Sequence, residues 1–181
     1  MALFYLPFLL FSVSQFDGSY AGATFADCGD ANKRLTISTG TVKPDPIQYP
    51  GNISASVDLI VLKDLPADNF EMKLDLTKLQ PRKMTVPCLQ DIGSCTYDVC
   101  SIINNHKESF CPAFPDPTKC GCPMKAATYS LKNVGVAIPN FGEIFVNILK
   151  GGYEGKITFH DKSSGTEIGC VAITFEIVPA S

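Results

Sequence analysis

Tryptophan is absent from the 181 residues, and histidine occurs only twice, as His106 and His160. Charged residues are sparse, at 18%, against 45% apolar ones. With 15 Lys and Arg against 18 Asp and Glu, the formal net charge is −3. A chain this apolar and this weakly charged is not intrinsically disordered. It also lacks the strongly basic face that nucleic acid requires. Its adjacent basic pairs, Lys33-Arg34 and Arg82-Lys83, read as solvated surface. No apolar run reaches the ~18 residues that argue for a transmembrane helix.

Catalytic patterns are missing as well. There is no Gly-x-Ser-x-Gly elbow, no Gly-x-Gly-x-x-Gly turn and no phosphate-binding P-loop. His106 lies in the polar stretch Asn104-Asn105-His106-Lys107 and reads as exposed loop; His160 ends a strand beside a turn. A hydrolase needs a nucleophile, a base and a group that orients the base, and no such set is visible. The chain is therefore expected not to be an enzyme and to carry no cofactor.

Cysteine, by contrast, is plentiful: eight residues, an even number. Six fall within 35 residues, spaced Cys88-x6-Cys95-x4-Cys100-x10-Cys111-x8-Cys120-x-Cys122, with Cys28 and Cys170 far away. No Cys-x2-Cys pair occurs and no histidine flanks the group usefully, so zinc is not expected. Four disulfides are, although eight cysteines allow 105 pairings and spacing alone does not choose among them. The N-terminus fits an oxidising compartment. Ala2 to Phe11 is apolar apart from Pro7 and is followed by the small residues Ser12-Val13-Ser14. Residues 1–21 thus read as a secretory signal peptide, with cleavage anywhere from 14 to 23, leaving one domain over 22–181. A glycosylation sequon, Asn52-Ile53-Ser54, follows the turn-like Pro50-Gly51.

Past the leader the apolar pattern has period two, which predicts half-buried strands. Ile53, Ala55, Val57, Leu59 and Val61 share one face; Phe70, Met72, Leu74 and Leu76 share another. The turn-like residues 63–69 between them predict a hairpin. Tyr153 to His160 and Ile168 to Val178 flank a turn at residues 161–165, and the second strand is apolar enough on both faces to be central. Shorter strands are expected at Leu35 to Val42, Met84 to Val86, Thr128 to Leu131 and Val134 to Ile138. The proline-rich segment from Cys88 to Cys122 reads as a stapled, loop-rich insert in which only Tyr97 to Asn105 suits a helix. The fold class is all-β, an antiparallel two-sheet sandwich or cup.

Several segments carry a resemblance. They include Asp45-Pro46-Ile47, Pro50-Gly51-Asn52-Ile53-Ser54, Val86-Pro87-Cys88, Asp91-Ile92-Gly93-Ser94-Cys95-Thr96-Tyr97 and Cys100. They continue with Cys120-Gly121-Cys122-Pro123, Thr128-Tyr129-Ser130-Leu131 and Gly169-Cys170, with Cys28 matching near the start. Together these make the chain resemble the GM-two ganglioside activator family, lysosomal lipid-binding activators within the ML lipid-recognition group. The resemblance implies a β-cup around an apolar lipid cavity. It also implies the pairs Cys28–Cys170, Cys88–Cys95, Cys100–Cys122 and Cys111–Cys120, and glycosylation at Asn52. Cavity-wall candidates are Val57, Leu59, Val61, Phe70, Met72, Leu74, Leu76, Ile157, Phe159, Ile173 and Phe175, each of which solid core would also accommodate. Vertebrate members carry tryptophans on loops at the cavity mouth. Here the corresponding segment, Pro139 to Gly152, offers Phe141, Ile144, Phe145 and Leu149 as membrane-touching replacements, unless it is an ordinary buried strand.

The function this implies is lipid binding and transfer: a non-catalytic activator that extracts a glycosphingolipid or related lipid from a membrane, touching its surface transiently, and presents it to a lysosomal glycosidase such as a β-hexosaminidase. The alternative is a secreted ML-type carrier or recognition protein with no enzyme partner. Residence is expected in the secretory pathway, in lysosomes or outside the cell.

Overall fold

The computed structural model describes residues 22–65 and 70–180. The expected signal peptide lies outside the described residues, as does part of the turn between residues 63 and 69. Ten strands are described: β1 (Thr24–Asp27), β2 (Leu35–Lys43), β3 (Ile47–Tyr49), β4 (Gly51–Val61), β5 (Phe70–Lys78), β6 (Met84–Thr85), β7 (Thr96–Asp98), β8 (Ala127–Ile138), β9 (Gly151–Asp161) and β10 (Thr166–Pro179). Three short helices accompany them: α1 (Val99–Asn105), α2 (Lys107–Phe110) and α3 (Glu143–Leu149). One sheet runs β1-β10-β9-β5-β6, with β3 added to β10 and β7 to β5; the other is β2-β4-β8. All pairings between these strands are antiparallel except β3 with β10. The expected all-β, two-sheet class is what the chain adopts.

The β9–β10 hairpin forms as the alternation predicts. Its turn is closed by Asp161, whose carboxylate accepts the Ser163 N–H at 2.9 Å, and by Gly165 at φ +69, a left-handed position that glycine takes without strain. β10 is central between β1 and β9, which explains why it is apolar on both faces.

The predicted hairpin between β4 and β5 does not form. β4 already has both edges occupied, by β2 and β8, so the chain crosses to the other sheet, where β5 pairs with β9. The crossing is held where the Leu65 N–H donates to the Met124 carbonyl at 2.9 Å, with Leu65 buried. A second difference lies in β8. The two strands expected at 128–131 and 134–138 are one, interrupted by a bulge. Asn133 turns to φ +53 and donates its N–H to Ser56 Oγ at 2.9 Å, while the register with β4 shifts between Ala55 and Val57. A further register shift separates Ile37 from Thr39 in β2. Bulges bend strands and increase their twist, and both of these fall in the three-stranded sheet.

The cysteine-rich insert is more ordered than its composition suggests. Asp98 caps α1 by accepting the Ser101 N–H at 2.8 Å. α2 and two 3-10 turns (Cys111–Ala113 and Pro117–Lys119) follow. The disulfides are Cys28–Cys170, Cys88–Cys95, Cys100–Cys122 and Cys111–Cys120, the pairing that the resemblance implies. Leu35, Val61, Phe70, Ile103, Phe114, Tyr129, Phe159 and Val171 belong to a packed core that joins both sheets to the insert.

Candidate functional site

Next to that core the two sheets stand apart and leave an apolar hollow of about 230 Å³. Six of the sequence-predicted wall residues meet there: Val57 and Leu59 from β4, Phe70 and Met72 from β5, Ile157 and Phe159 from β9. The alternation of each strand brings its apolar face inward, and antiparallel register sets Met72 beside Phe159 and Leu74 beside Ile157. The Phe70 and Phe159 rings stack at 5.7 Å.

The other five candidates sit elsewhere on the same framework. Val61 is buried in the packed core. Leu74, Leu76 and Ile173 continue the inner face of the larger sheet toward its far end, where Gly155 lies under Ile173 and Leu76; a Cβ on Gly155 would come within 2.8 Å of Ile173 Cγ1. Phe175 stacks on Tyr153 at 5.1 Å with the rings nearly parallel.

The remaining wall comes largely from residues that sequence reasoning missed. Val99, Ile102 and Ile103 of α1, Phe110 of α2, Phe114 of the insert and Met124 just after it close the hollow on one side. Ile37 of β2 and Tyr129 and Leu131 of β8 complete it. The spacing of Val99, Ile102 and Ile103 is the i, i+3, i+4 stripe of an inward helix face, and it was the available signal. The stapled insert is therefore a wall of the hollow. None of these side chains is charged. The Tyr129 hydroxyl turns away to donate to the Lys125 carbonyl at 2.8 Å, and burial pushes its pKa up. The ion pairs lie outside: Lys132–Asp58 at 2.8 Å, Lys125–Asp64 at 2.9 Å and Lys162–Asp98 at 2.5 Å.

An apolar space with no polar partner does not hold water well. At roughly 24 cal/mol per Å³, the hollow costs about 5 kcal/mol as an upper bound if it stays empty. One or two disulfides at roughly 2–4 kcal/mol each offset that. What such a space accommodates chemically is a hydrocarbon chain, at ~0.8 kcal/mol for each CH₂ withdrawn from water.

At the opposite end of the larger sheet sits α3. Within the segment Pro139 to Gly152, the alternative of a buried strand does not hold: Glu143–Leu149 form a two-turn helix on the surface. Ile144 is 76% exposed, Ile148 50% and Phe145 38%. Phe141 and Leu149 are half-buried, and the Phe141 ring leans on Phe145 at 5.6 Å. Ile148 was not among the expected residues. Three hydrogen bonds fasten the segment to buried side chains. The Phe141 N–H donates to Tyr49 Oη at 2.7 Å, the Tyr153 hydroxyl donates to the Leu149 carbonyl at 2.5 Å, and Lys78 Nζ donates to the Ile148 carbonyl. Burial drives the Tyr153 pKa up to about 12.

Asn52 is exposed near the start of β4. His106 is exposed between α1 and α2, and His160 bonds to Thr158 Oγ1 at 3.0 Å on the larger sheet. Among the described residues no three His, Cys, Asp or Glu side chains cluster to hold a metal ion.

Two sheets, antiparallel except for the β3–β10 pair and stapled by disulfides beside an apolar hollow, define a class of two-sheet β-cups. The ML domain family model matches residues 22–177, and the chain belongs to that family. Among curated relatives, the chain is similar to the Ganglioside GM2 activator of Macaca fascicularis, 30% identical over 156 residues, covering 81% of this chain and 78% of that one. It is likewise similar to the Ganglioside GM2 activator of Mus musculus, 27% identical over 161 residues, covering 84% and 80%. The crystal structure of a Niemann-Pick type C2 protein from Japanese carpenter ant shares the fold, with a TM-score of 0.52 at 17% identity, covering 85% of this chain and 98% of that one.

Proposed function

We propose that the protein binds a membrane lipid with its hydrocarbon in the apolar hollow, and moves that lipid out of the bilayer. The observation that carries this reading is the uncharged hollow, bounded by both sheets and by the stapled insert. The similarity to ganglioside GM2 activators supports a glycosphingolipid or related lipid as cargo, and a lysosomal glycosidase of the β-hexosaminidase type as the enzyme to which it is presented. The protein itself breaks no bond. In transfer, the hollow has only to match the burial that the chains already have in the bilayer, so exchange is nearly neutral. The exposed apolar side of α3 supports transient contact with the membrane surface. The four disulfides support residence in the secretory pathway, in lysosomes or outside the cell.

The test is glycosidase activity with and without the protein on a vesicle-embedded glycolipid and on a water-soluble substrate. Stimulation of the first alone is expected. Lipid uptake without any stimulation would instead mark a secreted carrier or recognition protein with no enzyme partner.

A further inference from the structure

Lys78 breaks the apolar inner face of β5. Alternation sets it on the side of Phe70, Met72, Leu74 and Leu76, and it pairs with Tyr153, which pairs in turn with Phe175. It is only 6% exposed. Buried ammonium groups ordinarily have a carboxylate partner, yet among the described residues Lys78 joins no ion pair. Its bond to the Ile148 carbonyl uses one of three donors. Beside it opens a second hollow of about 460 Å³, to whose wall Gln80, Asn147, Lys150 and Glu176 contribute. Burial, and then the charge of Lys150, push the Lys78 pKa below the ordinary lysine value. Two cations thus face one space with a single carboxylate, and Glu176 pairs with neither.

We propose that the hollow beside Lys78 and Lys150 receives an anionic oxygen group, such as a phosphate or sulfate, on the headgroup of the bound lipid. This rests on the lipid-binding reading above. Met72 lines the apolar hollow, and Lys78 lies six residues further along the same strand, about 20 Å away, comparable with an extended fatty acyl chain. Leu74, Leu76 and Ile173 are the apolar residues on the same face between the two, and the acyl chain is placed along them. The anion then sits beside α3, where its neighbours Ile144, Phe145 and Ile148 are exposed. Lys78 also closes the carbonyl end of α3, as cations often do at a helix C-terminus. That role alone gives no preference for a charged ligand, so a charge preference separates the two.

The experiment measures uptake of phosphatidic acid and of diacylglycerol with identical chains, each supplied in phosphatidylcholine vesicles to the full chain. A preference of about tenfold for phosphatidic acid is expected, the scale of a hydrogen bond to a charged group. Lys78→Met should bring the ratio near one, Lys150→Gln should lower it, Lys78→Arg should keep it and Glu176→Gln should raise it. If circular dichroism shows Lys78→Met unfolded, the opposite shifts of Lys150→Gln and Glu176→Gln decide, and no shift in either overturns the proposal. Equal uptake of both lipids by the unaltered protein overturns the anion site and leaves lipid binding standing. Uptake of neither overturns the lipid-binding reading itself. Inorganic phosphate alone should compete only weakly; binding as tight as that of phosphatidic acid would assign the site to a free anion and contradict the headgroup.

Discussion

Val57 and Val61 share a face of the same strand, yet one borders the hollow and the other is packed in the core. The difference supports a direct test. Enlarging a packed position forces strain of about 1–3 kcal/mol. Val57→Phe places its ring in empty space instead, so its melting temperature should match or exceed that of the parent while lipid uptake falls. Lowered stability would mean that the space is already filled. Asp98 makes a second prediction at this scale. The hydrogen bond from Lys162, followed by the backbone N–H of Ser101, holds its pKa down to about 2. A depressed folded-state value contributes stability above the ordinary Asp value near 3.9, lost as pH falls through the folded value. Thermal stability should therefore hold from pH 7 to 5 and decline below about pH 4. Asp98→Asn keeps a capping side chain and should make that acid decline shallower. Alternation alone identified the strand residues that face inward, such as Leu59 and Phe159. It had no means to say which of them meet a neighbour and which meet space, because both situations select the same apolar side chains.

Among the elements, α3 was the least legible. Seven residues give two turns, too short for a 3.6-residue period to stand out from an apolar run. Ile144, Phe145 and Ile148 fall on one side of it only once it is known to be a helix. The insert is stapled and loop-rich as expected, with its α-helix α1 inside the stretch that suits one, but its part in the wall was hidden for a related reason: the stripe Val99, Ile102 and Ile103 spans barely one turn. The missing β4–β5 hairpin reflects a non-local fact, that β2 and β8 claim both edges of β4. α3 yields a test with little background, since the chain has no tryptophan of its own. Phe145→Trp should show a blue-shifted fluorescence on adding phospholipid vesicles. Ile144→Ser with Ile148→Ser should slow transfer from vesicles several-fold without lowering the melting temperature, because both side chains are exposed. A fluorescence spectrum unmoved by vesicles would remove α3 from the membrane contact.

For the whole molecule, charge governs approach to a bilayer. At pH 7 the formal net charge is −3 and the sequence pI is about 5.3, so anionic vesicles repel the protein weakly. Acidification to pH 5 carries the protein past its pI and removes the net negative charge. Asp27, Asp58, Asp64, Asp98, Asp116 and Asp161 are all held below the ordinary value, chiefly by hydrogen bonds from lysine, threonine or serine side chains. They resist this change. Transfer from anionic vesicles should be faster at pH 5 than at pH 7, and the difference should shrink in high salt. Equal rates would show that net charge does not limit approach.

Native mass spectrometry of the folded protein, repurified after incubation with phospholipid vesicles, addresses the hollow itself. One lipid per chain is expected, with the complex reduced in Val57→Phe. A folded protein found only at its unliganded mass would contradict the account.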